Sequence, residues 1–286
     1  MIGRPRATAT RRLGALALAA ALVLPVAACG SDDGGDVAET GDAGTTTQAG
    51  AGTNTTLAEQ TITVFAASSL TDAFTELGAD FEAANPGTTV EFNFGSSSDL
   101  LESITGGDAL GTADVFASAD ENNMNKLVDA EDNAAEPEVF ARNQAEIAVP
   151  AGNPGDVTGL EDFADEDLYL GVCTPDAPCG AYAQEILDNA GVTPSIDTEE
   201  AKVTDVVAKV AGGELDAGIV YVTDVLANDE EVDGVEIPAD VNVDAIYPIA
   251  TVAEAPSPDG AAAFVAYVLS DDGQQVLADF GFLPPS

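Results

Sequence analysis

Short apolar runs alternate with helical patterns of apolar residues along most of the chain. The pattern predicts strands at 61–67, 88–94, 113–119, 145–150, 168–173, 217–222 and 245–252. It predicts helices at 70–84, 98–105, 120–130, 180–190, 203–211, 259–269 and 271–279. Such an alternation indicates an α/β protein with mostly parallel sheets. In sheets of this kind, ligands bind beyond the carboxyl ends of the strands.

The first sixty residues have a different composition. Residues 1–28 carry four arginines followed by an apolar run, which is typical of a bacterial export signal. The run ends in "PVAAC", which resembles the lipobox of bacterial lipoproteins and would make Cys29 the lipidated first residue. Residues 29–60 contain no aromatic side chain and many Gly, Thr and Asp, so we expect a disordered tether. The folded body is expected at 61–286.

The chain is strongly acidic, with 51 acidic and 8 basic residues. Four of the basic residues lie in the predicted signal, which leaves four cations against 51 acids and a net charge of −47. This charge argues against nucleic acid or anionic lipid as a partner. Because the acids are scattered along the chain, we interpret them mainly as a solubilising surface.

Serines follow two of the predicted strands at the point where a helix begins, in "AASSL" and "GSSSD". A single serine at such a junction usually only caps its helix. Here the motif occurs twice, and each time a small residue, Ala67 or Gly95, precedes it. Free N–H groups and the positive end of the helix dipole favour anions at helix N-termini. The two junctions therefore indicate an anion site.

A serine hydrolase is the competing interpretation. The chain contains no histidine, which excludes a Ser-His-Asp triad and zinc sites built on histidine. The three lysines lie in polar helical contexts, which argues against a Ser-Lys pair. We therefore expect a protein that is not an enzyme.

Five motifs together resemble the periplasmic molybdate-binding proteins of ABC transporters, and they occur in order across 61–286. They are "ITVFAASSLTDAF", "FNFGSSSDL", "ADVFASAD", "PCGAYAQEIL" and "AGIVYVTD". The resemblance implies the two-lobed, type II periplasmic-binding-protein fold, in which each lobe is a mostly parallel sheet flanked by helices. It places lobe 1 at 61–142 plus 246–286 and lobe 2 at 143–245, with the ligand in the cleft between them.

The resemblance also implies the groups that hold the ligand. Matched motif by motif, the hydroxyl donors are Ser69, Ser97 and Tyr221. The backbone donors are Cys179 and, by the loosest match, Val203. Cys179 departs from the Pro-Ala-Gly turn of the family in its side chain but still offers an N–H. The three carboxylates Asp72, Asp99 and Asp224 follow the binding turns and are expected to cap helices.

Molybdate at neutral pH is a tetrahedral dianion that only accepts hydrogen bonds, so a site of pure donors suits it. Protonated phosphate would need an acceptor, and Asp99 would have to turn inward to provide one. Sulfate has the hydrogen-bond pattern of molybdate and differs in size, so a sulfate or phosphate receptor of the same fold is the alternative. An iron receptor would need clustered Tyr, His and carboxylates, and the tyrosines here are scattered.

We therefore expect a monomeric, extracytoplasmic, lipid-anchored receptor without a cofactor. It would capture molybdate, and tungstate with it, and deliver the anion to a membrane permease driven by an ATPase.

Cys173 and Cys179 are the cysteines left after Cys29, and they bracket a short turn. A metal pair lacks further ligands nearby, and a redox pair is more often spaced C-x-x-C. In an exported protein we expect a structural disulfide. It would rigidify the turn that presents the Cys179 N–H.

Overall fold

The computed structural model describes residues 57–286. The predicted signal, Cys29 and most of the predicted tether lie outside the described residues. The last tether residues do not: β1 begins at Gln60, and Leu57 packs against the core. No helix within 57–286 is long and apolar enough to cross a membrane.

Nine strands and eight α-helices make up the described part of the chain. The strands are β1 Gln60–Ala67, β2 Thr88–Gly95, β3 Val115–Ala117, β4 Glu138–Pro150, β5 Leu170–Cys173, β6 Thr198–Glu200, β7 Ala217–Tyr221, β8 Val232–Glu236 and β9 Asp244–Thr251. The helices are α1 Thr71–Ala84, α2 Ser97–Thr105, α3 Glu121–Asp129, α4 Pro178–Ala190, α5 Val203–Ala211, α6 Val222–Ala227, α7 Pro258–Val268 and α8 Asp271–Asp279. Short 3₁₀ turns occupy Ser68–Leu70 and Leu160–Ala164.

The strands follow the order β2-β1-β3-β9-β4-β7-β5-β6, with β8 paired to β4. The pairings of β1 with β2 and β3, and of β5 with β6 and β7, are parallel. All antiparallel pairings involve β4 or β9. The predicted two-lobed α/β fold is confirmed, with mixed rather than purely parallel sheets where these two strands run.

Strand β4 belongs to both halves of the molecule. Residues 138–144 pair with β9, and residues 145–150 pair with β7 and β8. Arg142 lies opposite Ile246 in the antiparallel register, so the two expected lobe boundaries fall side by side on β4 and β9. The C-terminal tail is fastened at the same place, because the Arg142 and Leu283 backbones exchange two hydrogen bonds of 2.9 Å.

The core of the first half is aromatic. Leu70, Phe74, Leu77 and Phe81, whose spacing predicts α1, are all at most 2% exposed. The Phe74 ring packs edge-on or tilted against those of Phe140 and Phe264, with centroids 5.6 and 6.2 Å apart. Such pairs contribute about 0.5–1.5 kcal/mol beyond their buried area. This packing fixes α1, and thereby the serine turn that precedes it.

Two expectations differ from the structure. The stretch 228–236 reads "NDEEVDGVE", an acidic sequence that predicts a solvated loop, but it contains β8, which has four of its five residues partly or fully exposed and Val232 buried. Strand β4 begins at Glu138, seven residues before the predicted start at 145. Pro248, which suggested an edge or a crossover, lies in β9 opposite Val139 where the register shifts.

Candidate anion-binding site

The five residues expected to hold a ligand lie around one small cavity between the two halves of the sheet, the donor cavity. Its lining residues are Ala67, Ser68, Ser69, Gly95, Ser96, Ser97, Ala119, Pro178, Cys179, Lys202, Val203 and Tyr221. Its volume of about 10 Å³ is near the smallest that holds one water molecule. In this conformation the cavity is therefore too small for an extended organic ligand.

Helix starts bring these residues together. Ser97, Cys179 and Val203 are the first or second residues of α2, α4 and α5. Their N–H groups precede the first intrahelical hydrogen bond of each helix and are free to bind a ligand. Three helix N-termini pointing at one cavity add partial positive charge there. These neutral groups thus favour an anion in the cavity.

The Ser97 hydroxyl is oriented by the backbone. Ser97 is 1% exposed, and its Oγ accepts a hydrogen bond of 3.0 Å from the Ala119 N–H. Because this bond uses an oxygen lone pair, the hydroxyl proton remains available to a ligand. Ser96, the N-cap of α2, instead pairs with Ser98 at 2.8 Å.

The Ser69 hydroxyl has a partner that the sequence did not indicate. Its Oγ lies 3.0 Å from the hydroxyl of Tyr247, which is completely buried on β9. Burial raises the pKa of Tyr247 well above its ordinary value, so this phenol stays protonated. When Tyr247 donates to Ser69, the Ser69 proton is left free to donate into the cavity.

Tyr221 ends β7 with its side chain 2% exposed. Its hydroxyl has no hydrogen-bond partner within residues 57–286. Burial, and next the neighbouring Tyr247, raises the Tyr221 pKa well above its usual range. The hydroxyl is therefore a permanent donor. A buried hydroxyl without a partner costs roughly 1–3 kcal/mol, which a bound acceptor would recover.

The Cys179 N–H lies on a rigid turn. The structure contains a disulfide between Cys173, at the end of β5, and Cys179, in the first turn of α4. Gly180 packs so tightly there that a Cβ would clash with the Thr174 carbonyl oxygen. Covalent bond and close packing together fix where the Cys179 N–H lies.

Lys202 is a cavity residue that the sequence analysis missed. It was treated as a lysine in a polar helical context, but it is the N-cap of α5 and lines the donor cavity. Tyr247 was missed as well, because its side chain lies behind Ser69 rather than in the cavity. Lys202 directly precedes Val203, so the predicted helix start at 203 is a local signal for it. Tyr247 is revealed only by its contact with Ser69, which is distant in sequence.

A larger cavity of about 210 Å³ lies beside the donor cavity and shares Ser68 and Ser69 with it. Asp72 and Asp224 also line it, and their carboxylates would repel an anion when ionised. Among residues 57–286, no carboxylate lines the donor cavity, and Asp99 is exposed on α2. Asp224 accepts the Tyr221 N–H at 3.0 Å, in keeping with the capping role expected of it. The donor cavity is thus the better anion site.

A two-lobed fold whose halves meet at a cavity of hydrogen-bond donors defines a ligand-binding protein of the periplasmic-receptor class. Residues 62–283 match the family model of bacterial extracellular solute-binding proteins. The chain belongs to this family, whose members are receptors of transporters rather than enzymes.

Individual relatives agree with this assignment. The chain is 40% identical over 226 residues to the molybdate-binding protein ModA of Mycobacterium tuberculosis. The aligned segment covers 79% of this chain and 85% of that protein. The periplasmic molybdate-binding protein of Azotobacter vinelandii has a similar fold, with a TM-score of 0.69, 18% identity and coverage of 79% and 100%. The sulfate-binding protein SubI of M. tuberculosis has a TM-score of 0.71, 18% identity and coverage of 79% and 87%.

Proposed function

We propose that this protein captures molybdate, and tungstate with it, between its two lobes and delivers the anion to the permease and ATPase of an ABC transporter. The observation that carries the proposal is the donor cavity itself. Ser69, Ser97, Cys179, Val203 and Tyr221 all line it, and each offers a hydrogen-bond donor. The name of the 40% identical relative supports the choice of molybdate among oxyanions.

Binding would proceed by closure of the lobes around the anion. We place the lobes at 61–142 plus 246–286 and at 143–245, with β4 and β9 as the connecting strands. Ser69 and Ser97 would bind from lobe 1, and Cys179, Val203 and Tyr221 from lobe 2. Because donors come from both lobes, the anion stabilises the closed form over the open one. No chemical step is involved.

The absence of a carboxylate from the donor cavity argues against phosphate. A monoprotonated phosphate needs an acceptor for its proton, whereas molybdate, tungstate and sulfate carry none at neutral pH. Sulfate remains the second candidate, because the sulfate-binding SubI has a similar fold. That likeness extends to the fold alone, and the 40% identical relative favours molybdate.

Isothermal titration calorimetry tests the proposal on the chain from Gly30 onward, which lacks the signal and Cys29. We expect one-to-one binding of molybdate and tungstate, and weak or no binding of sulfate and phosphate. Tight binding of sulfate would support the anion site but contradict the assignment of molybdate as its ligand. If none of the four anions binds, the proposal is wrong, and the serines at the two junctions only cap their helices.

We further propose that Cys29 carries the lipid that holds the receptor at the outer face of the cell membrane as a monomer. The motif "PVAAC" supports this anchor. Cys29→Ala in the full chain should release the protein into the medium. Retention of the variant in the membrane fraction would contradict the anchor.

A further inference from the structure

Lys202 lies at the rim of the donor cavity in a position that local stability does not favour. It is the N-cap of α5, and its side chain makes no capping hydrogen bond. Ser, Thr, Asp and Asn are preferred there because their oxygens accept an N–H of the first turn. Lysine has no acceptor, and its charge faces the positive end of the helix dipole. A residue that breaks a local rule beside a binding cavity points to a role in binding.

The other cations of the body occupy ordinary stabilising positions. Lys126 and Lys209 lie in the last turns of α3 and α5, where positive charge suits the helix dipole. Lys209 is also held by Glu200 and Thr198. Arg142 binds Asp244 at 2.8 Å and the Pro284 carbonyl oxygen at 2.9 Å. Among the cations of residues 57–286, only Lys202 combines a helix N-terminus with a binding cavity.

The Lys202 ammonium is only loosely held. Its ion pair within residues 57–286 is with Asp205 one turn along α5, at 3.8 Å, too long for a hydrogen bond. The two side chains are 39% and 45% exposed. An exposed pair of this kind is weak and easily exchanged. The ammonium is therefore free to leave Asp205 for a stronger anionic partner.

We propose that Lys202 is an electrostatic capture residue that attracts the oxyanion to the donor cavity through a protein surface that otherwise repels it. This inference rests on the proposed function. The neutral donors provide the hydrogen bonds, and the lysine provides the local positive charge at the entrance. The buried and unpartnered Tyr221 hydroxyl lines the same cavity and independently marks it as the place where an acceptor binds.

Stopped-flow kinetics of molybdate binding, followed by tyrosine fluorescence, tests the role. For Lys202→Gln we expect the association rate constant to fall about ten-fold at about 10 mM salt, because a cation and a dianion attract strongly at low ionic strength. The difference should shrink to less than about two-fold near 1 M salt, where the Debye length is about 3 Å. Lys202→Arg should restore most of the rate. Lys126→Gln is the matched control, since it removes the same charge away from the cavity and should behave like the wild type.

A second variant separates capture from structure. Lys202→Asn supplies a good N-cap, so the ligand-free protein should melt about 1–4 °C higher. Its association rate constant should nevertheless fall as in Lys202→Gln. A purely structural lysine would not show these opposite changes. If Lys202→Gln and Lys202→Asn bind molybdate at low salt as fast as Lys126→Gln, the capture role is wrong.

The outcomes also separate this inference from the proposed function. If the wild type binds sulfate and not molybdate, the ligand assignment fails, and the same variants tested with sulfate decide the role of Lys202. If the wild type binds molybdate and the Lys202 variants keep its rate and salt dependence, only the capture role fails. If the wild type binds neither anion, both are overturned.

Discussion

The Tyr221 hydroxyl combines near-complete burial with the lack of any partner in the described part of the chain. Tyr221→Phe should weaken molybdate binding about 10- to 100-fold, because a hydrogen bond to a charged acceptor contributes roughly 1.5–3 kcal/mol. The ligand-free variant should be as stable as the wild type or more so, since an unsatisfied polar group is removed. Calorimetry and thermal unfolding measure the two effects.

Tyr267→Phe is the matched control for this variant. Tyr267 lies on α7 outside the donor cavity, and its ring packs against Phe81. The Tyr267→Phe variant also loses one tyrosine hydroxyl and should bind molybdate like the wild type. If the Tyr221 and Tyr267 variants bind molybdate with equal affinity, the Tyr221 hydroxyl does not bind the anion.

Asp224 gives the protein a specific dependence on pH. The pKa of its carboxyl is raised to about 7, mainly by burial. The hydrogen bond from the Tyr221 N–H lowers the pKa, and the nearby charge of Asp72 raises it further. The unfolded carboxyl has a pKa of 3.8, so between about pH 4 and 7 the folded state binds a proton that the unfolded state does not. This contribution to stability is present below about pH 4 and is lost as the pH rises to about 7.

Asp224→Asn should remove that contribution to the pH dependence. The free energy of unfolding of the wild type, relative to the variant, should fall between pH 4 and 7 by a few kcal/mol, about 4 at most. Urea unfolding at a series of pH values measures the difference, and the many other carboxylates cancel in it. A difference that stays constant over this range would contradict the raised pKa.

At the residue scale, the identity of the cavity residues can be predicted from the sequence. The contacts that position their side chains cannot. Ser69, Ser97, Cys179, Val203 and Tyr221 were matched from short local motifs, and they all line the donor cavity. Their supporting contacts are between distant residues. Ser69 and Tyr247 are 178 positions apart in sequence, and no local pattern connects them.

Among the elements, the turn from β5 into α4 is the most constrained part of the site. Replacing Cys173 and Cys179 by serine should lower the free energy of unfolding by about 2 kcal/mol, as the chain-entropy model gives for so short a loop. We expect the melting temperature to fall by about 4–8 °C. Molybdate affinity should fall too, because the Cys179 N–H loses its fixed position.

Reductant provides the control for the disulfide variant. Reduction should change the wild type toward the behaviour of the double-serine protein and leave that protein unaffected. If reduction alters neither melting temperature nor affinity, the disulfide does not organise the site.

The elements that the sequence did not predict are stabilised by strand pairing rather than by their own pattern. The first half of β4 carries Glu138, Arg142 and Gln144, and it is a strand because it pairs with β9 more than a hundred residues later. Strand β8 is acidic and mostly exposed, as is common for edge strands that must not pair with other chains. Helix α6 follows β7 without a break, and the predicted strand 217–222 includes only its first residue, Val222.

Across the whole molecule, the strands that carry the site lie in two parallel groups joined through β4 and β9. Parallel strands place their carboxyl ends, and the helix starts that follow them, at one edge. Alternating strands and helices therefore suffice to predict that the serine junctions approach each other. The lobe boundaries that fall on β4 and β9 come from the family resemblance. The hydrophobic pattern cannot supply them, because it does not show which half of the molecule a strand pairs with.

Net charge is the property of the whole molecule that acts on ligand binding. The body outside the signal carries 51 acids and four cations, and a dianion approaching it is repelled. The Debye length falls from about 30 Å at 0.01 M salt to about 8 Å at 0.15 M, so added salt screens distant carboxylates most. The proposed hydrogen bonds from the cavity donors to the anion would act at contact distance and would be screened much less.

Affinity for molybdate should therefore rise modestly with salt, about two- to three-fold between 0.01 and 0.15 M. Lys202→Gln should show a steeper rise, because salt then relieves repulsion without also weakening the attraction of a nearby cation. Calorimetry in sodium chloride, with an uncharged osmolyte at equal osmolality as the control, separates screening from general solvent effects. A steep fall in wild-type affinity over this range would mean that exposed cations, rather than the neutral donors of the cavity, dominate the binding of the anion.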